Sequence, residues 1–146
     1  MARGVSRLLR QDGYAPILEF TLPNGRRLDV AAIGPGGAIL GVEIKVALAD
    51  LRGDTKWPEY LDYCDLFYFA IPPDFPPEHV PPQTGLIVAD RYGGAIVKAA
   101  ETQTLHASRR KAVTISFASV AASRLSVALE SMTQDSAPNR VAPQAD

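Results

Sequence analysis

Three charged residues stand inside otherwise apolar sequence in the stretch RRLDVAAIGPGGAILGVEIKV at 26–46: Asp29, Glu43 and Lys45. Two carboxylates brought together in such surroundings could hold a hard divalent cation. Magnesium takes oxygen ligands, keeps several waters and needs only one or two protein carboxylates. An isolated Asp followed by Glu-x-Lys is a short pattern with many accidental matches. Its weight depends on whether the elements around it bring the charges to one place.

Apolar and β-branched residues flank Gly34-Pro35-Gly36-Gly37, so the stretch reads as two strands joined by a tight turn. Side chains alternate across a strand, which puts Glu43 and Lys45 on one face and Val42, Ile44 and Val46 on the other. A three-residue loop, Pro35-Gly36-Gly37, built on a type I turn with a left-handed Gly, pairs Gly34 with Ala38 and sets Asp29 opposite Glu43. A two- or four-residue loop would set Asp29 against Val42 instead. The first register opposes Asp29 to Glu43 and Arg27 to Lys45, and like charges directly opposed destabilise a sheet. A divalent cation between the carboxylates removes that conflict. The residues alone leave a second reading open, a solvent-facing checkerboard in which Asp29 and Lys45 form a diagonal ion pair.

The preceding loop, Pro23-Asn24-Gly25, repeats the form. Read as another three-residue turn, it pairs Leu22 with Arg26 and adds Glu19 opposite Asp29, giving one acidic row across three strands. On the first of those strands Ile17, Glu19 and Thr21 take one face and Leu18, Phe20 and Leu22 the other. A two-residue Asn-Gly turn would send Glu19 to the far side and put Pro23 in the ladder without an N–H to donate.

The 146 residues are enough for one domain with a real core, and 47% of them are hydrophobic. A formal net charge of −1 argues against a wholly basic nucleic-acid binder. Contact with phosphate must be local, through Arg3, Arg7 and Arg10, through Arg26 and Arg27, or through Arg109, Arg110 and Lys111. Cys64 is the only cysteine, which excludes an internal disulfide and a thiolate cluster, and its aromatic neighbours suggest a buried, inert thiol. No apolar run approaches membrane-spanning length and no signal-peptide core is visible, so the expectation is a cytoplasmic protein without a membrane partner.

The remaining elements position this stretch. Residues 3–11 form a short helix ended by Gly13, and 17–22 a strand. After Lys45, residues 47–52 form a helical turn or two, interrupted at Gly53, and Pro58 suits the start of a second short helix to about Tyr63. Asp50, Asp54, Lys56 and Tyr60 arrive there near the end of the charged strand. Leu66 to Ile71 reads as a buried strand parallel to 41–46, because a helical crossover separates them. PPDFPPEHVPPQ is a surface loop. Gly85 to Asp90 and Ala95 to Ala100 make a hairpin, and Ala112 to Ser131 a helix. His79 and His106 have no partner at metal-ligand spacing. From Thr133 the composition is that of a disordered tail.

This order of elements, with Asp and then Glu-x-Lys on the antiparallel strands, resembles the core of the PD-(D/E)XK nuclease-like superfamily. More narrowly, RRLDVAAI, VEIKVALADLRGDTKWPEYLDYCDLFYFAIPPDFP and GLIVAD are similar to the MmcB family of bacterial DNA repair proteins, a resemblance covering about residues 4–130. It implies an α/β fold with a restriction-endonuclease-like core, a mixed sheet of antiparallel strands 1–3 and parallel strand 4 flanked by helices, over residues 1–131, followed by a tail at 132–146. It implies metal ligation by Asp29, Glu43 and the Ile44 carbonyl, with Glu19 as an additional acid, and a Mg²⁺ or Mn²⁺ cofactor. Lys45 would orient or activate water and steady developing negative charge. Lys56, Tyr60, Arg27, Arg109 and Arg110 are the candidate DNA contacts. One departure is Val46-Ala47-Leu48, where a polar residue is expected directly after Lys45. The implied function is a metal-dependent DNA endonuclease in repair. The alternative is a catalytically inactive DNA-binding or adaptor module that recruits repair partners. A purely structural ion-pair net is the third reading.

Overall fold

A computed structural model describes residues 1–136. The chain runs α1 (Ala2–Gln11), β1 (Ala15–Thr21), β2 (Arg27–Ile33), β3 (Ile39–Ile44), α2 (Leu48–Gly53), β4 (Leu66–Ile71), β5 (Gly85–Ala89), β6 (Gly94–Lys98) and α3 (Ala107–Asp135). Short 3-10 turns lie at Pro35–Gly37, Trp57–Tyr63 and Pro77–His79. The strands form one six-stranded sheet in chain order. Strands β3, β4 and β5 are parallel and the other neighbours antiparallel, an α/β arrangement in which the expected three antiparallel strands and parallel fourth are present.

Two layers cover the sheet. On one face α1 buries Val5, Leu8 and Leu9, the i, i+3, i+4 set of one helical side, against Val30, Ala32, Leu40, Val42, Tyr68, Ala70, Ile87 and Ala89. Gly4 allows α1 to touch the β5–β6 turn, since a Cβ there would lie 1.9 Å from the Asp90 carbonyl oxygen. On the other face the segment after β3 supplies Trp57 and Tyr60, whose rings stack on Phe67 at 6.2 and 5.7 Å between centroids. Phe69 meets both Trp57 and Phe67 edge-on. Cys64 is buried there, and burial pushes its thiol up to about 12, as suits an inert packing group.

Both hairpins close as three-residue loops. The Leu22 N–H donates to the Arg26 carbonyl at 2.7 Å and Gly25 takes φ +83°, and the pairs Leu18–Val30 and Phe20–Leu28 on either side set Glu19 across from Asp29. The Gly34 N–H donates to Ala38 at 2.9 Å, and Ile33 pairs with Ile39 and Val30 with Val42. The ladder ends at Val30–Val42, one residue short of Asp29 and Glu43. The second turn differs from the expected type I: Gly36, its second corner, has φ +71° and ψ +7°, which is type II, and Gly37 is also left-handed at +83°.

Alternation on β1 and β2 slips at the acids. Leu28 Cδ atoms come within 3.1 Å of the vacant side of Gly41, the face opposite Val42, whereas Val30 packs under α1 with Val42. Leu28 and Val30 therefore project to opposite faces although two residues apart. Their partners Phe20 and Leu18 follow them, so Leu18, Phe20 and Leu22 do not share the one face that simple alternation assigns. Glu19, between the two pairs, has φ +50°, a left-handed backbone unusual for a residue with a side chain.

Helix α3 begins at Ala107 rather than 112, with the Arg110 N–H donating to the His106 carbonyl at 2.9 Å, so Arg109, Arg110 and Lys111 lie inside it. It also continues to Asp135, into the stretch expected as a tail; residues 137–146 lie outside the described residues. Met1–Thr114 is one compact unit, and a second begins at Ile115. The second unit is helical through Asp135 and exposes Leu125, Val127, Leu129 and Met132. The expectation that no segment approaches membrane-spanning length is corrected: by length and composition alone, α3 would suffice.

Candidate functional site

Beyond Val42 the chain of β3 turns its charged side toward a cleft of about 580 Å³ under α2 and the following turn. Asp29, Glu43, Ile44, Lys45, Asp54, Lys56 and Tyr60 are among its lining residues. The strand is anchored by its neighbour, the Lys45 N–H donating to the Ala70 carbonyl at 2.9 Å. Asp29 is fixed differently: its Oδ2 accepts the Ile44 N–H at 2.7 Å, so the side chain occupies a main-chain donor of β3.

The side chains are well covered, with Glu43, Lys45 and Asp54 only 13%, 11% and 9% exposed. Lys45 Nζ lies 2.7 Å from Asp54 Oδ2 and 3.7 Å from Glu43 Oε1. Asp54 Oδ1 accepts the N–H groups of Lys56 at 2.9 Å and Trp57 at 3.1 Å. Glu43 Oε2 is buried with no hydrogen-bond partner, the sole such side-chain atom among the described residues. This geometry corrects the checkerboard reading. The charges do not face open solvent, and Lys45 pairs with Asp54 and Glu43, not diagonally with Asp29.

Titration follows from the same contacts. Burial, then the neighbouring Asp29 and Asp54 charges, push the Glu43 carboxyl up to about 7 against the opposing pull of Lys45. Burial acts on Asp54 too, but the Lys45 ammonium and the Lys56 and Trp57 N–H groups outweigh it and hold that carboxyl below its usual range. Tyr60 is pushed up to about 12 by burial and by Glu43, and its hydroxyl donates to the Arg27 carbonyl at 3.2 Å.

The structure thus gathers Asp29, Glu43, Ile44, Lys45, Lys56 and Tyr60 into one cleft. Glu19 lines a neighbouring cleft of about 370 Å³ with Ala2, Leu18 and Val46, and the two clefts share Asp29 and Ile44. Arg27 lines neither cleft and reaches the site through its carbonyl. Arg109 is bound to Asp62 and lies over the Tyr63 ring, and Arg110 to Asp65 and the Gly37 carbonyl, at the start of β3. Two residues carry more than the sequence suggested. Asp54 precedes Trp57-Pro58 as a turn-capping Asp does, a readable signal. Asp65 had none, since its partners are distant in sequence.

Among the described residues no three or more His, Cys, Asp or Glu side chains form a metal-binding group. The donor set at hand is two carboxylates and a strand-end carbonyl. That set fits a hard cation, which keeps waters for its remaining positions. The unpartnered Glu43 oxygen is the observation in its favour.

A family model of DNA repair proteins described as MmcB-like matches residues 1–132. The chain belongs to the MmcB-like family. Membership supports a role in DNA repair. No functionally curated protein matches the sequence. Among solved structures, SPO1766 of Silicibacter pomeroyi, a protein of unknown function, is similar to this MmcB-like chain with a TM-score of 0.82 and 43% identity over 85% of each chain.

Proposed function

We propose that this DNA repair protein is a divalent-metal-dependent endonuclease acting at the Asp29–Glu43–Lys45 cleft. The observation that carries the proposal is Glu43 Oε2, a buried carboxylate oxygen without a partner, in a cleft that a second carboxylate, Asp29, also lines. Leaving such a group unsatisfied is costly, and a cation would relieve it. Asp29, Glu43 and the Ile44 carbonyl would hold Mg²⁺ or Mn²⁺. When bound, the cation would polarise the phosphodiester and lower the pKa of the attacking water.

The protein's own groups do the rest. The Lys45 ammonium adds fixed positive charge where negative charge develops. Lys56 lines the cleft wall and offers a charge to the DNA strand, while Tyr60 beside it is buried with its ring stacked on Phe67. Arg3, Arg7 and Arg10 are exposed on α1, whose first residue lines the adjoining cleft, and among the described residues no carboxylate pairs with them. They supply the local attraction to phosphate that a chain of net charge −1 needs. The test is cleavage of duplex, single-stranded and branched DNA with Mg²⁺, with Mn²⁺ and with chelator. Cleavage that needs the cation is expected. DNA binding without cleavage on every substrate would replace the nuclease with an adaptor, a reading favoured by Glu19, which lines the other cleft.

A further inference from the structure

The Lys45 ammonium has two carboxylates within reach, and it sits on the one that is not part of the proposed cation site. Its distance to Asp54 is 2.7 Å and to Glu43 3.7 Å. An ammonium closed onto Glu43 would satisfy the carboxylate and occupy the space a cation needs. We infer that Asp54 is a positioning residue: its carboxylate holds Lys45 off Glu43 and so keeps Glu43 open to a divalent cation. This rests on the reading of Asp29 and Glu43 as the cation site.

The two oxygens of Asp54 divide the work. Oδ1 is locked by the Lys56 and Trp57 N–H groups, and the Asp54 N–H donates to the Leu51 carbonyl at 3.2 Å, so the side chain is fixed at the end of α2. Oδ2 is thereby aimed at Lys45. With 9% of the side chain exposed, the carboxylate has little freedom to turn away. The turn at 54–57 is in effect a bracket for a lysine on β3, and this explains why a buried Asp stands where an uncharged cap would serve the backbone equally well.

The experiment separates backbone capping from lysine positioning. Asp54→Asn keeps an oxygen for the turn but presents an amide N–H₂ to the ammonium, so the fold should survive while Lys45 moves to Glu43. Mn²⁺ binding is read by calorimetry or by the free-ion resonance signal, without DNA. The expected result is Mn²⁺ affinity weaker by about tenfold in Asp54→Asn, within the range for residues that orient metal ligands. In a Lys45→Met background the same substitution should have no effect. An equal loss in both backgrounds would mean that Asp54 acts only by its negative charge and would overturn the inference. So would unchanged affinity in Asp54→Asn. A parent protein that binds no Mn²⁺ would overturn the cation site itself, and the role of Asp54 with it.

Discussion

The two ends of β3 each bring a buried acid to a basic side chain, and they end up in opposite states. At its start Asp65 is 6% exposed and saturated: Oδ2 accepts the Ile39 N–H and Arg110 Nη1, both at 2.7 Å, and Oδ1 accepts Arg110 Nη2 at 2.6 Å. Burial alone would raise its pKa, but Arg110 and the Ile39 N–H outweigh that and hold the carboxyl below its ordinary range. At the other end Glu43 shares a lysine with Asp54, leaves one oxygen unpartnered and is pushed up to about 7. Burial and an adjacent cation are common to both, so neither marks a functional site. What differs is satisfaction: the planar guanidinium matches both carboxylate oxygens at once, while the single ammonium near Glu43 is engaged elsewhere.

The sharpest way to break this contrast is Glu43→Gln, which removes the charge and nearly preserves shape. Cation-dependent cleavage is expected to fall by about a hundredfold or more, the scale for losing a main electrostatic element of a site, while the variant still folds. Lys45→Ala should also cut cleavage while retaining Mn²⁺ binding, because the carboxylates remain. Cation-dependent cleavage kept by both variants would move the active site away from β3.

The register of this site was readable in the sequence because each hairpin is closed by a Pro-x-Gly loop, and loop length fixes which residues face one another. Asp29 and Glu43 could be paired from Pro35-Gly36-Gly37 alone. Glu19 could be paired but not aimed: its left-handed backbone arises where β1 and β2 switch faces, and simple alternation contains no term for that. The arginines of α3 look like a phosphate-binding cluster when only their spacing is seen. Arg110 is committed to Asp65, 45 residues away, a contact that no local pattern reveals. The α/β order of strands was legible from alternation and crossover length, whereas the β4–β5 parallel pairing was hidden behind a proline-rich loop.

A smaller effect tests the same contrast through pH. In the unfolded chain Glu43 ionises near 4.5, and in the folded protein near 7. Between those values the unfolded state has lost the proton and the folded state keeps it, so stability falls as pH rises and levels off above about 7. The gap corresponds to about 3 kcal/mol at most. Asp65 runs the other way, since its lowered value makes its contribution present above about 4 and lost on acidification. Urea titrations in chelator from pH 4 to 8 should show the parent losing stability relative to Glu43→Gln across the upper window. Parallel curves for the two proteins would mean that Glu43 ionises as an ordinary surface acid.

The smallest effect belongs to the satisfied end. Arg110→Ala strips both side-chain bonds from Asp65 and the one to the Gly37 carbonyl. Removing one partner of a wholly buried pair costs about 3–5 kcal/mol. The Arg110 side chain is 34% exposed and Asp65 keeps the Ile39 N–H, so a loss of about 2 kcal/mol is expected here. Arg110→Lys should recover only part of it, because an ammonium cannot match both carboxylate oxygens as the fork does. Urea denaturation reads the stability, and cleavage per folded molecule should not change, since Arg110 lies at the far end of the strand from Glu43. Unchanged stability together with weakened DNA binding would return Arg110 to the phosphate-contact role its neighbours in sequence suggest, and would leave Asp65 stable without its partner.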